Sequence, residues 1–461
     1  MSTTETTVPA EPARGGRWID HWEPENPDFW EQTGKKVANR NLWFSILAEH
    51  IGFSMWTVWS VLVLFMGPAY GIDPAGKFLL VSLPALIGAL VRIPYTMAPA
   101  RFGGRNWTIV SALLLLIPVI LAIIVMEPGT SYGTFLIVAA LGGLGGGNFA
   151  SSMVNINAFY PEGKKGWALG LNAGGGNIGV PAVQLVGLLV IAMAGTVYPR
   201  LVLVLYVPLI VIAAVCAARY MNNISSVRND TGALREAVRD SQTWVMAFLY
   251  IGTFGSFIGY SFAFGLVQQT QFGRTPLQAA SVAFIGPLIG SLIRPVGGWM
   301  ADRFGGAKVT CATFIGMALT TGVVIIASEQ KSLALFVAGF IGLFVLSGIG
   351  NGSTYKMIPS IFAGKARMAI DAGESRQTAL MRARRLSGAV IGIAGSIGAL
   401  GGLLINLAFR QSFLTTQSGI PAYWSFLAFY AACVAVTYAV YLRRAPAMEA
   451  KHAQRLAYAG V

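Results

Sequence analysis

Apolar runs of about twenty residues recur along the chain from Asn41 to Leu442, separated by short breaks rich in charge, glycine and proline. At a rise of about 1.5 Å per helical residue, each run is long enough to cross a hydrocarbon core about 30 Å thick. The breaks divide the chain into twelve spans that begin near residues 41, 75, 107, 131, 167, 199, 241, 276, 306, 332, 386 and 421. One break stands apart: NNISSVRNDTGALREAVRDS is polar throughout and separates the spans six and six. The pattern predicts an all-α integral membrane protein with twelve transmembrane helices in two six-helix bundles. Its parts are an N-terminal tail over 1–40, bundles over 41–220 and 241–442, a linker over 221–240 and a C-terminal tail over 443–461.

The two halves repeat each other. PALIGALVRIPYTMAPARFGGR aligns with GPLIGSLIRPVGGWMADRFGGAK, which sets Arg92 against Arg294 and Phe102 against Phe304, both at an offset of 202. LGGLGGGNF at 141–149 aligns with LSGIGNGST at 346–354, and GNIG at 176 with GSIG at 395, in the same order. Parallel six-span repeats place a pseudo-two-fold axis along the membrane normal and a substrate site near the midplane between the halves, the design of a secondary transporter.

Composition narrows the reading further. The 461-residue chain is 55% hydrophobic and only 11% charged, with a mean hydropathy of +0.62, whereas an ordinary soluble domain carries roughly 25% charged residues. The net charge of +14 does not point to nucleic acid, because its distribution follows topology. If the odd spans run outward, 25 of the 33 Lys and Arg residues lie on the starting side and 5 opposite, which predicts both termini in the cytoplasm. The first forty residues lack the apolar stretch of a cleavable signal peptide. Cys216, Cys311 and Cys433 lie in or beside spans with no CxxC pair and no histidine at metal spacing, so they read as small buried hydrophobes. No metal site, nucleotide loop or cofactor motif is expected, and no nucleophile or His/Cys/Asp constellation suggests an enzyme.

Three basic residues remain in apolar context: Arg92, Arg294 and Lys356. Of 19 acidic residues only Glu49 lies well within a span. An arginine in the membrane interior costs from about 2.5 to over 10 kcal/mol, so two at equivalent repeat positions need a reason. One reading is a pair of structural arginines bonded to backbone carbonyls or snorkelling. The sharper one is a pair facing each other across the pseudo-two-fold to bind an anion. The guanidinium fork suits a small planar oxyanion better than an ammonium does.

Glycine clusters are the second unusual feature, in GLNAGGGNIG of the fifth span and GAVIGIAGSIGALGG of the eleventh. Gly170, Gly174, Gly175, Gly176, Gly179, Gly388, Gly392, Gly395 and Gly398 read as helix-packing positions, with Gly170/Gly174 and Gly388/Gly392 as small-xxx-small seams. Asn172 and Asn177 lie among them, either as donors to an anion or as interhelical glue.

RIPYTMAPARFGGR, GGGNFASSM, ALGLNAGGGNIG, GTFGSFIG and GSTYKMIPSIF, in this order, resemble the nitrate/nitrite porters, the NarK-like family within the major facilitator superfamily. The resemblance covers nearly all of the chain after the tail. It implies a carrier of nitrate or nitrite working by alternating access in a prokaryotic cytoplasmic membrane, for which a monomer suffices. Carried over, the family's substrate arginines fall on Arg92 and Arg294. Its anion-sandwiching aromatics fall on Phe149, Tyr250 and Phe254, and its signature asparagine on Asn177 with Asn172 beside it. The glycine-rich segments match its paired signatures, suited to packing and sliding.

Coupling is the open question. An anion brought into a cell 100 mV negative inside costs about 2.3 kcal/mol. Either nitrite leaves as nitrate enters, or protons accompany the anion. Glu49 and His50 in ILAEHIGFSMW and Lys356 in GSTYKMIP are the proton-coupling candidates, against a structural reading in which Glu49 pairs with Lys356. The expectation is proton-coupled nitrate uptake, with obligate nitrate/nitrite exchange or carriage of another small anion as alternatives. A channel selecting anions through an arginine ring is disfavoured by the two-fold repeat.

Overall fold

The computed structural model describes residues 17–227 and 229–443. Among them are 12 helical segments long and apolar enough to cross a membrane. In chain order they are Pro27–Phe65, Pro74–Phe102, Gly104–Val125, Tyr132–Phe159, Glu162–Ala194, Arg200–Tyr220, Ser241–Phe272, Pro276–Phe304, Gly306–Glu329, Leu333–Asp371, Arg376–Thr416 and Ile420–Leu442. Several outrun a bilayer. The tenth, with 39 residues, is about 58 Å long at the helical rise.

Local chemistry sets the ends of these helices. The second span starts at Asp73, whose side chain caps the Gly76 N–H at 2.7 Å ahead of Pro74. The eighth starts at a Thr275–Gln278 capping box ahead of Pro276. Both stop at the first glycine of a repeated FGG turn, Gly103 (φ 88°) and Gly305 (φ 91°), a conformation that a Cβ disfavours.

The first span begins at Pro27, earlier than residue 41, because Asn26 caps the Asp28 N–H at 3.0 Å and Pro27 supplies a prearranged first turn. Trp18–Ile19 before it pairs in parallel with Asn223–Ile224 of the linker, and Thr231–Arg239 of the linker is a helix. Tail and linker therefore lie together on one face of the bundle. The expected tail over 443–461 lies outside the described residues apart from Arg443.

The first and seventh spans are buried along most of their length, whereas the third, sixth and twelfth present apolar side chains outward, among them Ile120, Ile124, Val211 and Val215. Exposed aliphatic surface of that extent suits lipid rather than water. The repeat is legible in the packing. A Cβ on Gly143 would strike Gly88, and one on Gly348 would strike Gly290, the same crossing of fourth on second and tenth on eighth spans in each half.

The halves close tightly on the face away from the tail and linker. Gln184 donates to the Ser261 carbonyl at 2.8 Å, Gln269 to the Leu64 carbonyl at 3.3 Å, and Phe78 stacks on Phe409 and Phe413 at 5.3 and 5.2 Å. Each contact joins one half to the other.

Candidate functional site

Below that seal, the second and eighth spans carry Arg92 and Arg294 inward to the same centre. Arg92 is 1% exposed and is held by two main-chain carbonyls, Nε to Gly146 at 3.1 Å and Nη1 to Gly395 at 2.6 Å. Gly146 has no room for a side chain: a Cβ there would overlap Gly88 of the second span and Trp56 of the first. The guanidinium carbon of Arg92 stands over three rings: Phe149 at 4.9 Å, Phe254 at 5.1 Å and Trp56 at 5.3 Å. Its Nη2 has no protein partner.

Arg294 is buried opposite. Its Nη2 reaches the Tyr250 hydroxyl at 3.5 Å, the outer limit of a hydrogen bond, and its guanidinium lies 5.6 Å from the Tyr355 ring. Nη1 has no partner. Tyr250 stacks on Phe254 at 5.3 Å and 16°, and Phe254 faces Phe149 at 6.4 Å and 23°. The two arginines are thus bridged by an aromatic pile. The seventh span makes this pile through a π-helical turn, Ile251–Gly255, a widening that often accompanies function.

The arrangement offers two buried guanidinium edges with unspent N–H groups, parallel ring faces beside them and, among the described residues, no carboxylate bonded to either arginine. Buried charges are normally paired. A planar oxyanion would supply the missing acceptors, and the rings would confine it edge-on to the guanidinium forks.

Glu49 lies next to this centre but bonds elsewhere. One carboxylate oxygen, Oε2, accepts from the Ser152 hydroxyl and from Asn172 Nδ2 at 2.6 Å, while Oε1 has no partner. Asn172 also donates to Ser152 at 2.8 Å. Its amide protons are spent on the Glu49 cluster, the interhelical one of its two expected roles. Asn177 differs: it is buried at the end of a helical segment, and neither amide atom has a partner. His50 makes a 3.3 Å contact through Nδ1 with the Gly175 carbonyl of the fifth span.

Lys356 departs from expectation. It is exposed and bonds to Asp302 at 2.7 Å, so no pair with Glu49 exists. The tenth helix turns this side chain away from the centre, toward Asp302, which precedes the repeated RFGG turn, and a peripheral cavity that Tyr441 also lines. The glycine rows divide as well. Gly175, Gly176, Gly179 and Gly398 are close-packed, Gly176 against the Glu49 carboxylate and Gly398 against Tyr250, and Gly395 lends its carbonyl to Arg92. Gly170, Gly174, Gly388 and Gly392 are not seams here: a Cβ on any of them would meet open space. These four lie toward the face carrying the tail and linker, where the fifth and eleventh spans meet through Glu162 and Arg384, whose charged groups lie 3.7 Å apart.

Sequence reasoning did not single out Trp56, Tyr355 or Ser152. Trp56 lies in ILAEHIGFSMW and Tyr355 in GSTYKMIPSIF, where aromatic character is the available signal; nothing in the sequence distinguishes Ser152 from its neighbour Ser151.

Comparison with known proteins agrees with this geometry. The Major Facilitator Superfamily profile matches residues 42–406. The nitrate/nitrite transporter NarU of Salmonella typhimurium is 38% identical over 449 residues, covering 93% of this chain and 97% of NarU. The chain belongs to the nitrate/nitrite porter family of the major facilitator superfamily. Another relative of this porter, the probable nitrate/nitrite antiporter NarK2 of Thermus thermophilus, is 32% identical over 446 residues, 90% of this chain and 94% of NarK2. A crystal structure of a D-xylose-proton symporter superposes with a TM-score of 0.64 at 14% identity, over 87% of this chain and 97% of that one, a likeness of fold alone. The porter is a multi-pass protein of the prokaryotic cytoplasmic membrane.

Proposed function

We propose that this porter moves nitrate and nitrite across the cytoplasmic membrane by alternating access, with the anion held between Arg92 and Arg294. One observation carries the assignment: each buried guanidinium keeps an N–H group without a protein partner, Arg92 Nη2 and Arg294 Nη1, on either side of the Phe149, Phe254 and Tyr250 rings. The rings bind a delocalised planar anion along with the forks, and Asn177, with an unspent amide, is the third donor. The positive-inside arithmetic supports placing tail and linker in the cytoplasm, with the contacts at Gln184, Gln269 and Phe78 on the outward side. The five-part division of the chain and a single-copy functional unit belong to the same proposal.

The coupling reading is nitrate with a proton. Glu49 is an ionisable group buried beside the anion centre, and one proton on one carboxylate cancels the charge of one anion. His50 is the secondary candidate. Obligate nitrate/nitrite exchange is the second reading, favoured by the absence of any carboxylate bonded to the arginines. Nitrate uptake into proteoliposomes under an inward proton gradient, with and without internal nitrite, separates them. Accumulation in vesicles without nitrite supports the proton reading, and uptake only against internal nitrite establishes exchange. Uptake of formate or cyanate in place of nitrate would reassign the anion.

A further inference from the structure

Three polar stripes converge inside the N-terminal half, away from the interface between the halves. The first span contributes Asn41, Ser45 and Glu49, spaced four residues apart on one helix face and all essentially inaccessible. The fourth contributes Asn148, Ser151, Ser152 and Asn155, and the third Thr108 and Ser111, again buried. A helix face this polar, packed inward in a membrane protein, is costly unless its groups are satisfied. Apart from the Ser152 bond to Glu49 Oε2, they are not satisfied by one another. Ser45 Oγ, Glu49 Oε1 and both amide atoms of Asn148 have no protein partner.

These groups surround a cavity of about 10 Å³. That is the space of about one water, which needs two to four polar partners to be held there. Ser45, Glu49, Ser111, Asn148 and Ser151 line it. The serine hydroxyls already donate to helix carbonyls, Ser111 to Thr108 at 3.3 Å and Ser151 to Asn148 at 3.1 Å, so their lone pairs face the space as acceptors. Toward the tail and linker the stripes continue: Asn155, with an unpartnered Nδ2, lies against Gly104 at the start of the third span, and Asn41 accepts from the Asn222 N–H at 2.7 Å.

We propose that this cavity holds an ordered water bound to Glu49 Oε1 and that protons reach Glu49 through it. The route runs inside the N-terminal half from the face of the tail and linker, apart from the anion's path between the halves. It rests on the reading of Glu49 as the proton carrier. The charges facing Glu49 are Arg92 of the second span and Arg294 of the eighth, with the Tyr355 phenol of the tenth. His50 adjoins it on the first span, and the third, fourth and fifth spans face it with hydroxyls, amides and glycine alone. Two arginines so close oppose a metal cation in the same space, so water rather than sodium is the occupant. In the transfer, a proton arriving from the tail-and-linker face makes this water a hydronium; one of its O–H bonds breaks as the Oε1–H bond forms, and a neutral water remains, held by the serine and amide groups as acceptors and donors that themselves exchange no proton.

The test uses the full chain in liposomes loaded with a pH-sensitive dye, reading acidification of the lumen on nitrate addition and nitrate binding by the same preparation. Ser45→Leu fills the cavity without touching the anion centre, and Ser45→Ala leaves it open. The expected result is loss of nitrate-driven acidification in Ser45→Leu, down to the level of Glu49→Gln, with nitrate binding retained and Ser45→Ala close to the parent protein. Parent-like acidification in Ser45→Leu, or nitrate uptake driven by a sodium gradient, overturns the route. Parent-like acidification in Glu49→Gln instead overturns the proton reading of Glu49 itself. Should Ser45→Leu fail to bind nitrate, Ser111→Val decides by the same readout: slowed acidification supports the relay and an unchanged rate refutes it.

Discussion

Arg92 of the second span donates to the main-chain carbonyl of Gly395 in the eleventh at 2.6 Å, so the N-terminal half's arginine is fastened to the C-terminal half at the anion centre. Arg294 makes no such bond across the interface; its one hydrogen bond is to Tyr250 in its own half. The repeat is symmetric in sequence and asymmetric in bonding. The difference extends within each half: Arg92 Nε bonds to the Gly146 carbonyl, whereas the aligned Asn351 takes no bond from Arg294.

A lysine cannot replace either arginine. Arg92 divides its fork among Gly146, Gly395 and a free edge, and an ammonium on a flexible stem keeps the charge but not the three directions. Losing a charge-assisted hydrogen bond costs about 1.5–3 kcal/mol, a weakening of about 10- to 100-fold. Arg92→Lys and Arg294→Lys are expected to insert normally and to lose nitrate uptake by at least that factor, as measured by labelled nitrate at fixed protein density. Near-normal uptake in either variant would remove the anion-site assignment.

Phe149 faces both a guanidinium and a second ring, and also packs edge-on against Phe53 at 6.0 Å. A buried cation–ring contact is worth up to about 2 kcal/mol. Phe149→Ala is expected to weaken nitrate affinity more than it lowers the thermal midpoint. Phe149→Leu, which keeps apolar volume but no ring face, should lose affinity with the midpoint nearly intact. Equal losses of affinity and stability would return Phe149 to the packing core.

The spans, their six-and-six division and the paired arginines were legible in the sequence because hydropathy and an offset of 202 residues are properties of the chain itself. Lys356 was not. It occupies an apolar run, but the helix phase that turns it to Asp302, 54 residues away, comes from packing of the tenth span on the eighth. Asn172 could not be assigned either, since its choice of Glu49 over the anion depends on how the fifth helix rotates. The polar stripe at Asn41, Ser45 and Glu49 was readable in principle from its four-residue period. Small hydroxyls within an apolar span are commonplace, however, and only their convergence with the third and fourth spans gives them meaning.

Outside the membrane, Arg385 docks the linker helix by bonding to Asp230 and holds that carboxyl below its ordinary 3.8. A carboxyl with a depressed value in the folded state adds stability that is fully present above the unfolded value and is lost as pH falls through the folded one. The pair is exposed, so its contribution is at most about 1 kcal/mol. The linker should therefore stay docked throughout the neutral range and loosen only in acid, below the ordinary carboxylate value. Limited proteolysis of the linker against pH checks this, with Asp230→Asn expected to be cleaved faster at neutral pH and to lose the acid dependence. A linker that becomes susceptible between neutrality and mild acid in the parent protein would contradict it.

The two kinds of glycine separate the static from the moving parts of the interface. A Cβ at Gly176 would overlap the Glu49 carboxylate, so Gly176→Ala must displace Glu49 from Ser152 and Asn172 and is expected to cost about 1–3 kcal/mol of stability. Gly174 and Gly388 have open space at the same position, and alanine favours a helix over glycine by about 1 kcal/mol. In this conformation Gly174→Ala and Gly388→Ala should therefore leave the thermal midpoint unchanged or slightly raised, with nitrate binding intact. Alternating access requires the halves to rock against each other, and rows bare of side chains on the fifth and eleventh spans are the surfaces that allow helices to approach. The added methyl groups are consequently expected to slow nitrate turnover in liposomes without weakening binding. Parent-like turnover in both variants would show that neither glycine lies on a surface that closes.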